Sequence, residues 1–188
     1  MGNAIFDNPT VWERAVPITV EAYHFLYRNG LVSEKTELLE GVVVEKMPKD
    51  PIHANIVTNL AYYLYEKLKN KFQVRQENPI YAGFSEPEPD IAIVPNKDYS
   101  TEHPKEVFIV IEVANTSLGI DRAKTSIYAG ANIPEYIIVN LQNNILEIYS
   151  VPIEGQYSLT KILQIEEIFS SKSIPAITFS LKDFLPKI

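Results

Sequence analysis

Glu88-Pro89-Asp90-Ile91-Ala92-Ile93-Val94 and Val107-Phe108-Ile109-Val110-Ile111-Glu112-Val113, followed by Asp121-Arg122-Ala123-Lys124 at the head of an amphipathic segment, decide how this chain is read. Both apolar runs are short, rich in Ile and Val, free of polar alternation and separated by a polar connection. That pattern predicts two strands covered on both faces. If they pair antiparallel with Val94 opposite Phe108, the same register sets Asp90 opposite Glu112. Opposed residues have Cβ atoms about 5 Å apart, where like charges repel, so something must compensate.

A divalent cation between the two carboxylates is the simplest compensation, because Mg²⁺ is held through one or two carboxylates with its other positions left to water and phosphate. Reading residues 120–131 as a helix capped by Asp121 places Ile120, Ala123, Lys124, Ile127, Tyr128 and Ala131 on one face. An ammonium in an apolar stripe is costly unless paired. Two readings of Lys124 are open: it snorkels to the helix edge, or it turns inward to the acid pair.

Working outward, Thr19 is placed to cap a packing helix through Arg28, with Gly30 just past its end. Leu38-Leu39 and Val42-Val43-Val44 flank Glu40-Gly41, a hairpin turn whose acid is by default a solvated turn residue. From His53 to Lys71, Ile56, Val57, Leu60, Ala61, Leu64 and Leu68 recur at helical spacing, and Lys67, Lys69 and Lys71 suit a helix C-terminus or a weak phosphate contact. His53 reads as a hydrogen-bonded packing residue, and His24 and His103 have no visible partner. Phe72 to Gln76 predicts a strand that Ile80-Tyr81 continues past Pro79, and the prolines of Ser85-Glu86-Pro87-Glu88-Pro89 keep that connector extended. Glu86 and Glu88 are outer ligands or solvated acids. Beyond the Lys124 helix, Asn132 and Pro134 stop it, and Glu135 to Val139 predicts a strand that completes a βαβ unit. Residues 145–151 and 157–163 then form a meander, and 174–179 with 181–185 a closing strand and short helix.

The composition is that of an ordinary globular protein: 188 residues, 46% hydrophobic and 22% charged. The formal charge of −7 opposes wrapping of nucleic acid by the overall field, so such binding needs a local basic patch. Zero cysteines exclude disulfides, thiolate metal sites and cysteine nucleophiles. Phosphate-cradling glycine loops, G-x-S-x-G and H-E-x-x-H are also missing from the sequence. No apolar run suits a signal or membrane segment, and Met1 to Phe6 does not complete a myristoylation pattern, so the cytoplasm is the expected location and no membrane partner is expected.

Pro89-Asp90, the strand-borne Glu112, and Asp121 with Lys124 on the following helix resemble the PD-(D/E)XK nuclease superfamily. More closely, Glu40-Gly41, His53, Pro89-Asp90, Ile111-Glu112-Val113, Asp121, Lys124 and Pro134-Glu135-Tyr136 are similar to the Uma2 or DUF820 family of endonuclease-like proteins, over nearly the whole chain. One departure stands out: two residues after Glu112 is Ala114, not the lysine of the E-x-K pattern, and the resemblance implies that Lys124 supplies it. It further implies an α/β, restriction endonuclease-like core, α-β-β-β-α-β, with a mixed central sheet flanked by helices. An N-terminal helix and hairpin would precede this core and a C-terminal β meander follow it, in one domain over residues 1–188. The implied activity is Mg²⁺- or Mn²⁺-dependent hydrolysis of nucleic-acid phosphodiesters, DNA in the first instance, by a homodimer. Asp90, Glu112, Lys124 and Glu40 would be catalytic; Asp90, Glu112 and the Val113 carbonyl would hold the metal; His53 and Asp121 would support them.

Two other classes of function compete. A nuclease-like fold without catalysis could serve as a dimeric interaction or regulatory module, which eleven tyrosines and an acidic surface would suit. Two opposed carboxylates could also hydrolyse a glycoside, but that scheme has no need of Lys124.

Overall fold

The two Ile/Val runs lie side by side in the middle of a six-stranded sheet. In a computed structural model that describes residues 8–186, the elements run α1 (Pro9–Trp12), α2 (Val20–Arg28), β1 (Thr36–Leu39), β2 (Val42–Glu45), α3 (Pro51–Leu68), β3 (Phe72–Gln76), β4 (Ile91–Pro95), β5 (Ile109–Ala114), α4 (Leu118–Gly130), β6 (Glu135–Asn140), β7 (Ile145–Ile153), β8 (Gln156–Gln164), β9 (Phe169–Ser170) and β10 (Thr178–Phe179), and end in a 3-10 turn at Leu181–Asp183. The myristoylation pattern read at Met1 to Phe6 lies outside the described residues. Among the described residues, no helix is long and apolar enough to cross a membrane.

The sheet order is β3-β4-β5-β6-β7-β8. Only β5 and β6 run parallel, joined by α4 as the βαβ reading expects. β4 and β5 pair antiparallel with Ile91 opposite Ile111 and Ile93 opposite Ile109, the register in which Asp90 and Glu112 are neighbours.

Because side chains alternate across a strand, the sheet has two separate apolar faces. Ile91, Ile93, Ile109, Ile111, Val113, Ile137 and Val139 pack with Ile56, Leu60 and Leu64 of α3. Ala92, Val94, Val110, Ala114, Tyr136 and Ile138 pack with Leu118, Ile127 and Tyr128 of α4. Glu112 is even-numbered and therefore shares α4's face, where Lys124 is.

Helix ends follow local chemistry. Thr19 Oγ1 accepts the Ala22 N–H at the start of α2, and Asp50 Oδ1 accepts the His53 N–H at 2.9 Å at the start of α3. α4 begins at Leu118, so Asp121 is not its cap. It sits within the first turn and takes a hydrogen bond from Ser117 Oγ at 2.6 Å. The buried face is also rotated from the expected one by packing on the sheet: Leu118, Asp121, Lys124, Ile127 and Tyr128 face inward, whereas Ala123 is exposed.

β1 and β2 form their own two-stranded sheet. Their turn, Glu40-Gly41, has positive φ at both residues, 49° and 77°, the conformation of a tight hairpin turn matched to strand twist. Leu38 and Glu86 exchange backbone hydrogen bonds, which docks this hairpin on the extended 85–89 connector. Ile80-Tyr81 does not extend β3; Ile80 is buried in the loop beyond it.

Candidate active site

Asp90 enters from the connector just ahead of β4, Glu112 from the C-terminal half of β5, and Lys124 from the second turn of α4. All three are buried, as are Glu37 and Asp121. Asp90 Oδ2 accepts the Val113 N–H at 2.8 Å, and its own N–H donates to Glu112 Oε2 at 3.0 Å. Glu112 Oε1 takes hydrogen bonds from Lys124 Nζ and from Tyr128 Oη, both at 3.0 Å. Lys124 Nζ is also 3.0 Å from Glu37 Oε1. The snorkelling alternative is thereby excluded, since Lys124 is only 4% exposed.

The hairpin acid that meets Lys124 is Glu37, not Glu40. Glu40 holds the turn itself, its side chain is exposed and reaches only Ser126 on the outer surface of α4. Glu37, three residues earlier on β1, points inward, and its second oxygen accepts the Glu88 N–H at 3.1 Å. A four-residue strand gives too few positions to establish which of its side chains face in, so the sequence offers little signal for Glu37. Tyr128 was visible on the face of α4 but indistinguishable from packing.

His53 reaches the site from the opposite side of the sheet, with Nε2 3.0 Å from Asp90 Oδ1. Burial alone would lower its pKa, but the hydrogen bond and charge of Asp90 and the Val113 carbonyl outweigh that and raise it. Val113 thus turns its N–H to Asp90 and its carbonyl to His53. Asp50, besides capping α3, accepts a hydrogen bond from Asn115, which ties the start of α3 to the loop after β5.

Four buried carboxylates surround one ammonium, and the imbalance shows in their protonation. Burial, more than Lys124 can offset, pushes Glu112 up to about 8, with the Asp90, Asp121 and Glu37 charges adding to the rise. Burial also pushes Asp121 up to about 6, against the Ser117 hydrogen bond and Lys124. For Lys124, burial opposes the charge, yet Glu112, Glu37 and Asp121 hold it protonated. These groups open on a cleft of about 910 Å³ lined by nine carboxylates and four lysines. Oxygen donors in that excess fit a hard divalent cation. The cleft lies at the carboxyl end of β5, where open α/β sheets commonly bind ligands.

A family model, Uma2, described as "Putative restriction endonuclease", matches residues 20–182. Among solved structures, the crystal structure of "a putative nuclease belonging to DUF820" from Anabaena variabilis is similar at 15% identity and a TM-score of 0.69, covering 89% of this chain and 97% of that one. A likeness at that identity concerns the fold: a mixed sheet flanked by helices, in the order α-β-β-β-α-β from α3 to β6. No curated protein matches the chain.

Proposed function

Because the matched residues 20–182 make up most of the sequence, the chain belongs to the Uma2 family, and from that premise we propose a divalent-metal-dependent endonuclease that hydrolyses nucleic-acid phosphodiester bonds, DNA first among them. The observation that carries this reading is the shortage of positive charge: Glu37, Asp90, Glu112 and Asp121 are all buried around the single ammonium of Lys124. An uncompensated buried charge is expensive, and a bound cation relieves it.

Asp90 and Glu112 would hold the metal, with the Val113 carbonyl as a further oxygen. When bound, Mg²⁺ or Mn²⁺ supplies polarisation of the scissile phosphate and a water acidified for attack. The chain's own groups set the geometry. Val113 N–H and His53 fix the Asp90 carboxylate from two directions, and Tyr128 fixes Glu112. Lys124 has three N–H donors; Glu37 and Glu112 engage two, leaving one for charge that builds on the phosphate. Asp121 and Ser117 brace the opening turn of α4, which carries that lysine. A homodimer would present two such centres, one for each strand of a duplex.

The experiment is plasmid nicking with Mn²⁺ or Mg²⁺, alongside calorimetric metal binding. Wild-type protein should nick, and Asp90→Asn and Lys124→Met should each slow nicking by at least about 100-fold while retaining the wild-type circular dichroism. Glu40→Gln should stay within about twofold, as expected of an exposed turn residue. Failure to cut DNA or RNA of either strandedness, together with no metal uptake at millimolar concentration, would leave the interaction module as the better reading.

A further inference from the structure

We propose that His24, Glu86 and His103 form a second metal site, for a divalent transition metal of the Zn²⁺ type. This reading stands on residues the nuclease reading does not use. One donor atom from each of the three lies within 4.8 Å of the other two. His24 Nε2 is 2.7 Å from Glu86 Oε1, and the two imidazole rings stand edge to face with centroids 6.4 Å apart. Three chain segments distant in sequence supply them: α2, the connector before β4, and the loop before β5.

The donor set differs in kind from that of the acidic cleft. Two imidazole nitrogens and one carboxylate are the donors that Zn²⁺ and its neighbours prefer, whereas Mg²⁺ prefers oxygen throughout. Ligands about 2.0–2.1 Å from a common Zn²⁺ stand roughly 3.3 Å apart in a tetrahedron, so small ring rotations close the present spread. A hydrogen bond between His24 and Glu86 alone would satisfy that pair without accounting for His103, which brings the second of only three histidines in the chain to the same carboxylate.

Each ligand is held by surroundings that do not depend on a metal. Glu86 is buried, and its backbone exchanges two hydrogen bonds with Leu38. The residue after His103, Pro104, is buried and accepts the Tyr81 N–H at 2.9 Å. Tyr23, beside His24, is anchored through its hydroxyl to the Thr36 carbonyl at 2.9 Å. His24 remains partly exposed, which gives the ion a route in and leaves a fourth position for water. Bound there, the ion would tie α2 and the 96–108 loop to the connector that carries Glu88 and Asp90, and so steady the segment on which Glu37 rests.

The test is a Zn²⁺ titration of the tag-free full chain, followed by NMR of its three imidazole rings. Any two of the variants His24→Gln, His53→Gln and His103→Gln assign all three rings. The His24 and His103 resonances should move together, and Glu86→Gln should weaken affinity by at least about tenfold. A His24 or His103 ring that stays in place at millimolar Zn²⁺ overturns the proposal, as does a folded Glu86→Gln chain of unchanged affinity. Should that variant not fold, the joint movement of the two rings in the wild-type chain decides alone. Movement of His53 alone would mark metal uptake beside Asp90 and no second site, so failure here is distinguishable from failure of the nuclease reading.

Discussion

Lys124 is the residue on which the buried acids depend. Replacing it with Met leaves Glu37, Glu112 and Asp121 without their ammonium, and removing one side of a buried ion pair costs about 3–5 kcal/mol. That loss should appear at pH 8 and shrink toward pH 5.5, where Glu112 and Asp121 hold protons; urea unfolding of Lys124→Met at the two pH values checks it. Glu37→Gln should be milder, since Lys124 keeps Glu112 and the remaining acids repel one another less. The wild-type chain follows the same logic. A carboxyl whose pKa is higher folded than unfolded binds more protons in the native state, so stability falls as pH rises between the two values. For Glu112 the window runs from about 4.3 unfolded to about 8 folded, and for Asp121 from about 3.9 to about 6. His53, raised by Asp90, acts in the same direction: its stabilisation is present below its ordinary pKa and is lost as pH climbs through the raised one. Calorimetry in EDTA should therefore give a higher Tm near pH 5.5 than at pH 8, and millimolar Mg²⁺ should restore more of it at pH 8.

Among the elements, the β1–β2 hairpin is the one the site can least do without, and Gly41 is its tightest point. A Cβ there would stand 2.2 Å from Pro17 Cβ, at a φ of +77°. Gly41 also accepts the Ile18 N–H and donates to the Phe84 carbonyl, so the turn cannot shift to make room. Gly41→Ala should cost at least about 2 kcal/mol through strain and contact together. Gly155→Ala, at the same φ but in open space, should cost about 1 kcal/mol; thermal melts of the two variants separate the effects. The strands and α4 were legible because long apolar runs and helical spacing report burial directly, whereas the β4–β5 register, which the runs alone do not fix, was an assumption that matches the observed pairing of Ile91 with Ile111. Glu37 was not legible, since its strand is four residues long, and the neighbouring Glu40-Gly41 drew attention as the family-like pair. Asp121 looked like a cap because helix starts favour acids, whereas its burial depends on the sheet beneath. His24 and His103 could not be joined from sequence, as folding alone brings α2 beside the loop before β5.

For the molecule as a whole, the two larger apolar clusters rest on one sheet, with strands β4, β5 and β6 contributing to each, and the small third one, Val20, Tyr23 and Leu38, is tied to the segment entering β4 by the backbone hydrogen bonds between Leu38 and Glu86. Neither layer has a strand set of its own, so the chain should unfold in a single transition, with calorimetric and van't Hoff enthalpies equal. Two transitions would mean that the chain is not one cooperative unit. With a formal charge of −7 and an acidic cleft, nucleic acid should bind weakly in EDTA and gain affinity with divalent metal more than with low salt, which fluorescence anisotropy can measure. The segregation of odd and even positions on β5 also limits how this sequence can vary over evolutionary time. Exchanging Val110 for Ile perturbs packing around one buried position, whereas inserting a single codon between Val110 and Ile111 throws every later residue of the strand out of phase. It would deliver Glu112 to the leucines of α3 and an isoleucine to Lys124. Lineages that keep this cleft should therefore tolerate replacement along β5 while confining length changes to the connections on either side.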